Sequence, residues 1–200
     1  MGGILPGPRT PKNINTYLEP LIDELCVFGE GGTGAKKPNG EAFTLYAYAL
    51  LFIADYRGAA KVLCQKGSGA TLGCIKCEIE GQSESKTGKK KVYGDFRRFL
   101  PRDHAFRRDV DTFGRAELRQ APPLRSHDDI LKGAFTALAA EQDFGVKPSS
   151  VSHPSKVTGV TGFSELLRFW YWDQVERSPV EVMHVVVRLS LRCFLFLNYS

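Results

Sequence analysis

Hydrophobic and polar positions divide the chain into three helical patterns and one long apolar run, separated by connectors rich in glycine, proline and lysine. Tyr17, Leu18, Leu21, Ile22, Leu25 and Phe28 share one helical face, which predicts a helix over residues 17–28 capped by Asn15 or Thr16. Pro20 falls in the first turn of that helix, where its missing N–H does no harm. The following GEGGTGAKKPNG segment, Gly29–Gly40, reads as a loop. It has no Gly-Lys-Ser/Thr ending and no strand leading into it, which argues against a phosphate cradle.

The run AFTLYAYALLFIAD ends at Asp55 and is apolar nearly throughout. Such a run suits a strand buried on both faces and ending near Ala54, with a buried helix as the alternative. Tyr56–Cys64 then turns into a helix, leaving Asp55 at the carboxyl end of a central strand, where open α/β sheets keep their chemistry. Beyond it, residues 81–91 are a lysine-rich solvated loop, and residues 95–125 mix arginine, aspartate, proline and aromatics without a clear period. Ser126 or Asp128 can cap a helix over residues 129–141, with Ile130, Leu131, Phe135 and Leu138 as its apolar side. Residues 144–162 connect to a third helical stretch starting at Ser164, and Pro179 interrupts the pattern before an apolar tail of helix or strand. The fold class this predicts is α/β with a mainly helical C-terminal part, divided at residues 1–64, 65–125 and 126–200.

Composition changes this picture little. The 200 residues are 42% hydrophobic and 24% charged, close to globular averages and far from wholesale disorder. A net charge of +5 with a pI near 9.0 leans toward a polyanionic partner. The 5 cysteines follow no disulfide framework, no secretory leader pattern opens the chain, and no run reaches membrane-spanning length. Reduced thiols in the nucleus or cytosol, without secretion or membrane insertion, are therefore expected.

Four groups of residues can carry chemistry. Asp55 at a strand end can hold a divalent cation, as the acids of two-metal nucleases do, or it can cap the following helix. Cys74-Ile75-Lys76-Cys77 has the spacing of half a tetrahedral zinc site, with Cys64, His104 and His127 as candidates for the other ligands; a redox pair or plain thiols are the alternatives. Arg97, Arg98, Arg102, Arg107 and Arg108, set among Phe96, Phe99 and Phe106, can bind phosphates and stack on bases, or pair with Asp95, Asp103 and Asp109. Glu181 and His184 share a helical face from which both can approach a metal or a phosphate, or they form one charged turn.

In this order the motifs resemble CACTA-type (En/Spm-like) DNA transposases. LPGPRTPKNINTYLEPLIDEL resembles the Pro-Gly-Pro block of that family. Behind it come an apolar strand ending in Asp (Leu50–Asp55), a Cys-x-x-Cys, Arg97-Arg98-Phe99-Leu100-Pro101 with His104 and Arg107, and Ala121-Pro122-Pro123. Gly159–Leu166 and Trp172-Asp173 resemble the approach to an Asp-x-Met-His motif, here Glu181-Val182-Met183-His184. The resemblance runs over residues 4–187. It implies an RNase H-like core in which three acids hold two Mg²⁺ ions, water cleaves a DNA phosphodiester, and the freed 3′-hydroxyl attacks target DNA. On that reading Asp55 is the second acid, Cys74 and Cys77 begin an insertion, and Glu181 and His184 stand before the final acid.

The departures shape what is expected. The family's first acid precedes the Pro-Gly-Pro block, near which this sequence starts, and no acidic residue follows His184. Tyr56-Arg57-Gly58 replaces Phe-Pro-Ala, and Glu181 replaces Asp. The expectation is a fragment of a transposase-like protein with a partial core, no strand transfer by itself, and an apolar edge beside Leu45–Ala54 prone to self-association. The alternative is a non-catalytic, zinc-containing module that binds nucleic acid or protein.

Overall fold

The computed structural model describes residue 11 and residues 13–83, 91–93, 103 and 122–179. In chain order these form α1 (Asn15–Gly31), the hairpin β1 (Gly32–Lys36) and β2 (Ala42–Leu45), and α2 (Tyr56–Val62). A two-residue ladder follows, β3 (Gln82–Ser83) with β4 (Lys91–Val92), then α3 (His127–Phe144), α4 (Ser155–Thr158) and a 3₁₀ turn, Glu165–Arg168.

The first helix starts two residues earlier than its apolar face predicts, so Pro20 lies inside it, beyond the first turn. A proline there leaves the Thr16 carbonyl without its usual helical donor. Arg168 fastens this helix to the 3₁₀ turn, donating to Asp23 Oδ1 at 2.5 Å and to Glu165 Oε2 at 2.9 Å.

Two segments depart from the sequence expectation. Gly29–Gly40 is not a plain loop, because Gly32–Lys36 pairs antiparallel with Ala42–Leu45 around a bulge between Gly32 and Ala35. Gly34, at φ +88, supplies the left-handed residue of that irregularity. The expected strand up to Ala54 stops at Leu45. Residues 46–54 keep much of a strand's alternation, with Ala49, Phe52 and Ala54 packed on the core and Tyr48, Leu50 and Ile53 exposed. Their backbone N–H groups find other partners: Ala47 donates to Phe28 O, Ala49 to Tyr171 Oη and Phe52 to Arg177 O. The burial on both faces that the continuous apolar run predicts is therefore not found: Tyr46, Tyr48, Leu50, Leu51 and Ile53 are exposed.

Asp55 ends this run as the cap of α2, accepting the Gly58 N–H through Oδ1 at 2.5 Å. The helix closes at Cys64, which takes φ +50 while Gln65 N–H reaches back to Ala60 O. Ile22, Ala59, Leu63, Ile75, Leu166, Phe169 and Trp172 form the main core. Ser164 pins the 3₁₀ turn to α2 by donating to Val62 O at 2.7 Å. Ile130, Ala134 and Ala137 of α3 are buried, as is Val160, and Gly133 lets Val160 approach the helix closely. Ser126 caps α3 and Gly145 ends it at φ +62. The third helical pattern, from Ser164, closes after only one 3₁₀ turn.

Candidate functional site

Two adjoining features concentrate polar groups: a cysteine knuckle above the core and a basic hollow beside α2. The knuckle is built by tight loops. Tyr56 Oη donates to Gly73 O, and Tyr93 Oη donates to Ala70 O, folding residues 67–73 back on themselves. Cys77 pairs with Leu124 in an isolated antiparallel bridge, and Arg125 N–H donates to Lys76 O at 2.9 Å. Cys74 and Cys77 then stand with their sulfurs 3.4 Å apart.

Arg125 is the residue that sequence patterning missed. Its side chain is buried (7% exposed), donating from Nε to Cys74 O and from Nη1 to Thr158 O, both at 2.8 Å. It thus ties the knuckle to the end of α4 and places a fixed positive charge beside the thiols. Burial, opposed by the Ile79 N–H and Arg125, raises the Cys77 thiol above its ordinary range. Burial likewise raises the Tyr56 phenol, reinforced by Cys74 and offset by Arg125.

The zinc ligands expected around this pair divide. Cys64 is turned elsewhere, its thiol donating to Phe163 O at 3.4 Å and accepting from Asn15, and burial pushes it up to about 11. His127 Nδ1 accepts the Gln174 N–H at 3.2 Å. Among the described residues no group of three His, Cys, Asp or Glu side chains is placed to hold a metal ion. Of the expected ligands, Cys74 and Cys77 stand together. His104 lies outside the described residues, as do Arg97, Arg98, Arg102, Arg107, Arg108, Glu181 and His184.

The hollow holds about 520 Å³ and is lined by Asp55, Arg57, Lys61, Gln65, Lys66 and the Gly67–Gly69 turn. The Asp55 carboxylate sits in its wall, one oxygen used by the helix cap and the other without a hydrogen bond among the described residues. Arg57 and Lys61 follow from their places on the capped helix, one turn apart on the same side.

The pattern of the transposase family tnp2 matches residues 1–135. The chain belongs to this family. The tnp2 match takes in α1, Asp55, the cysteine pair and the first half of α3. Residues beyond it complete the fold around that tnp2 region, since Val160, Leu166, Phe169 and Trp172 are buried against it. No curated protein and no solved structure matches the chain. Membership in a transposase family makes DNA the implied partner of this tnp2 chain. No described helix is long and apolar enough to cross a membrane.

Proposed function

We propose that this chain acts on DNA in the nucleus as part of a CACTA-type transposase, with Asp55 as a metal-binding acid of an RNase H-like core. One observation carries the reading: the Asp55 carboxylate lies in a hollow shared with Arg57, Lys61 and Lys66, an acid able to hold Mg²⁺ among cations able to hold phosphate. The Oδ1 bond to Gly58 fixes the carboxylate's orientation, leaving Oδ2 for a hard cation. A bound Mg²⁺ would supply charge neutralisation at a phosphodiester. The other ligands of a two-metal site come from outside the described residues, where Glu181 and His184 lie, and the 200-residue chain by itself is proposed to bind DNA without completing strand transfer.

The helix cap and the metal ligand are separable by substitution. Asp55→Asn keeps a side-chain oxygen for the Gly58 N–H and is expected to retain stability while losing Mn²⁺ binding, followed by isothermal titration or by paramagnetic broadening. Asp55→Ala loses both, and about 1 kcal/mol of stability with the cap. Mn²⁺ binding to Asp55→Asn as tight as to the unmodified chain would reduce Asp55 to a cap.

A second reading is favoured by the 3.4 Å sulfur separation: a zinc-containing, non-catalytic module derived from a transposon, holding the ion between Cys74, Cys77 and ligands that include His104. Elemental analysis of the purified chain is expected to give about one zinc per molecule, lost on Cys74→Ser. Protein that is fully folded and free of zinc after purification without chelators contradicts it.

A further inference from the structure

A second hollow of about 390 Å³ adjoins the one at Asp55 and shares Lys66 and Gly69 with it. Its wall adds Thr71, Lys91, Ser155 and Lys156. Lys66 follows α2, whereas Lys156 belongs to α4, so the fold brings together two ammonium groups far apart in the sequence. Lys66 is held below its ordinary value by burial first and by Lys156 second. Its ammonium makes one long contact, 3.5 Å, to the Pro148 carbonyl. Among the described residues no carboxylate pairs with Lys66, Lys156, Arg57 or Lys61.

Like charges held together without a counter-charge repel, and an anion seated between them removes that repulsion. Gln65, beside the same hollow, carries unsatisfied polar groups of its own. It is buried (6% exposed), it lines the hollow at Asp55, and neither its amide nitrogen nor its amide oxygen has a hydrogen-bond partner among the described residues. A buried amide of this kind costs stability until something donates to it or accepts from it.

We propose that Lys66 and Lys156, continued by Arg57 and Lys61, form a track for successive phosphates of a DNA strand, delivering the strand to Asp55. This rests on the reading of the chain as a DNA-acting transposase and assigns the substrate contact to residues outside the arginine segment. Two hollows in series joined through Lys66 suit a chain of phosphates better than a single free ion. Arg57 and Lys61 stand at the inner end beside Asp55, and Lys156 marks the outer end.

The test is binding of a fluorescein-labelled DNA duplex to the full chain, followed by anisotropy across a salt series. Lys66→Ala with Lys156→Ala is expected to weaken binding about tenfold and to lower the slope of log K against log salt by about two, one unit for each phosphate contact removed. Lys66→Arg with Lys156→Arg keeps the charge and is expected to keep both values. Lys36→Ala with Lys132→Ala, which removes equal charge elsewhere, leaves most of the slope in place. A slope unchanged in the Lys66/Lys156 alanine pair overturns the track while leaving DNA binding itself intact. A parallel titration with inorganic phosphate separates the two readings. Phosphate bound through Lys66 and Lys156 without any DNA binding overturns the DNA strand as occupant and the DNA-acting reading with it. Binding of neither overturns the hollow as an anion site as well.

Discussion

Arg125→Leu is expected to destabilise the folded chain by about 3 kcal/mol. The guanidinium donates to Cys74 O and Thr158 O at 2.8 Å, and both bonds are partly buried, on a side chain only 7% exposed. Leucine fills much of the volume and leaves the two carbonyls without those donors, at about 1–3 kcal/mol each. Removing a buried charge works in the opposite direction by relieving its desolvation. The bonds win here because they join two separate segments, the cysteine knuckle and the end of α4. Urea denaturation should give a lower midpoint with an unchanged m-value, and the melting temperature should fall by about 6–12 °C for a chain of this size. A second readout separates the charge from the packing. Without the guanidinium the Cys77 thiol is expected to rise further, so its alkylation by iodoacetamide at mildly alkaline pH slows relative to the unmodified chain. A variant as stable and as reactive as the original would show that Arg125 contributes nothing beyond its volume.

Local signals in the sequence located the helices better than they located the site. Ser126 ahead of an apolar face marks the start of α3, because caps act within a few residues, while its end runs to Phe144, past the expected residue 141, to Gly145 in the left-handed region. The hairpin hid behind glycines that look like loop residues and are used for the bulge and the turn. The run at 46–54 has a strand's alternation, yet its backbone bonds go to a helix end, a tyrosine hydroxyl and an irregular segment, all distant in sequence. The same limit governs the site. Asp55 was legible because a charge ends an apolar run, and its role as helix cap was already one of the two readings. Cys74 and Cys77 were legible from spacing alone, and their sulfurs do face each other. Arg125 and the pairing of Lys66 with Lys156 carried no local mark, since each depends on which loops meet. Gln65 reads as an ordinary polar residue at a helix end until its burial is known.

Gly159→Ala is expected to cost about 3–4 kcal/mol, the other large effect, and to loosen the knuckle and the basic track together. Gly159 lies at φ +75, where a side chain costs about 1 kcal/mol from the backbone alone. A Cβ there would also stand 2.5 Å from the Leu72 carbonyl oxygen and 2.7 Å from Arg125 Nη2. The carbonyl is main chain and cannot swing aside, so residues 72 and 159 have to part, which loosens the neighbouring crossing of residues 65–66 over residues 159–160. That crossing is held by Lys66 N–H to Gly159 O at 2.9 Å and by the bridge between Gln65 and Val160. Opening it adds about 2–3 kcal/mol of overlap strain. Gly145→Ala is the matched control: its φ is +62, but nothing lies within 4 Å of the new methyl group, so only the backbone cost of about 1 kcal/mol is expected. The difference between the two variants, read by thermal melting of the full chain, isolates the overlap. Because Gly159 sits next to both Lys66 and Arg125, its alanine variant should also lose DNA affinity through displaced lysines, although it removes no charge. Equal melting temperatures for the two variants would mean that residues 72 and 159 part easily, and that the track at Lys66 and Lys156 is not held by this crossing.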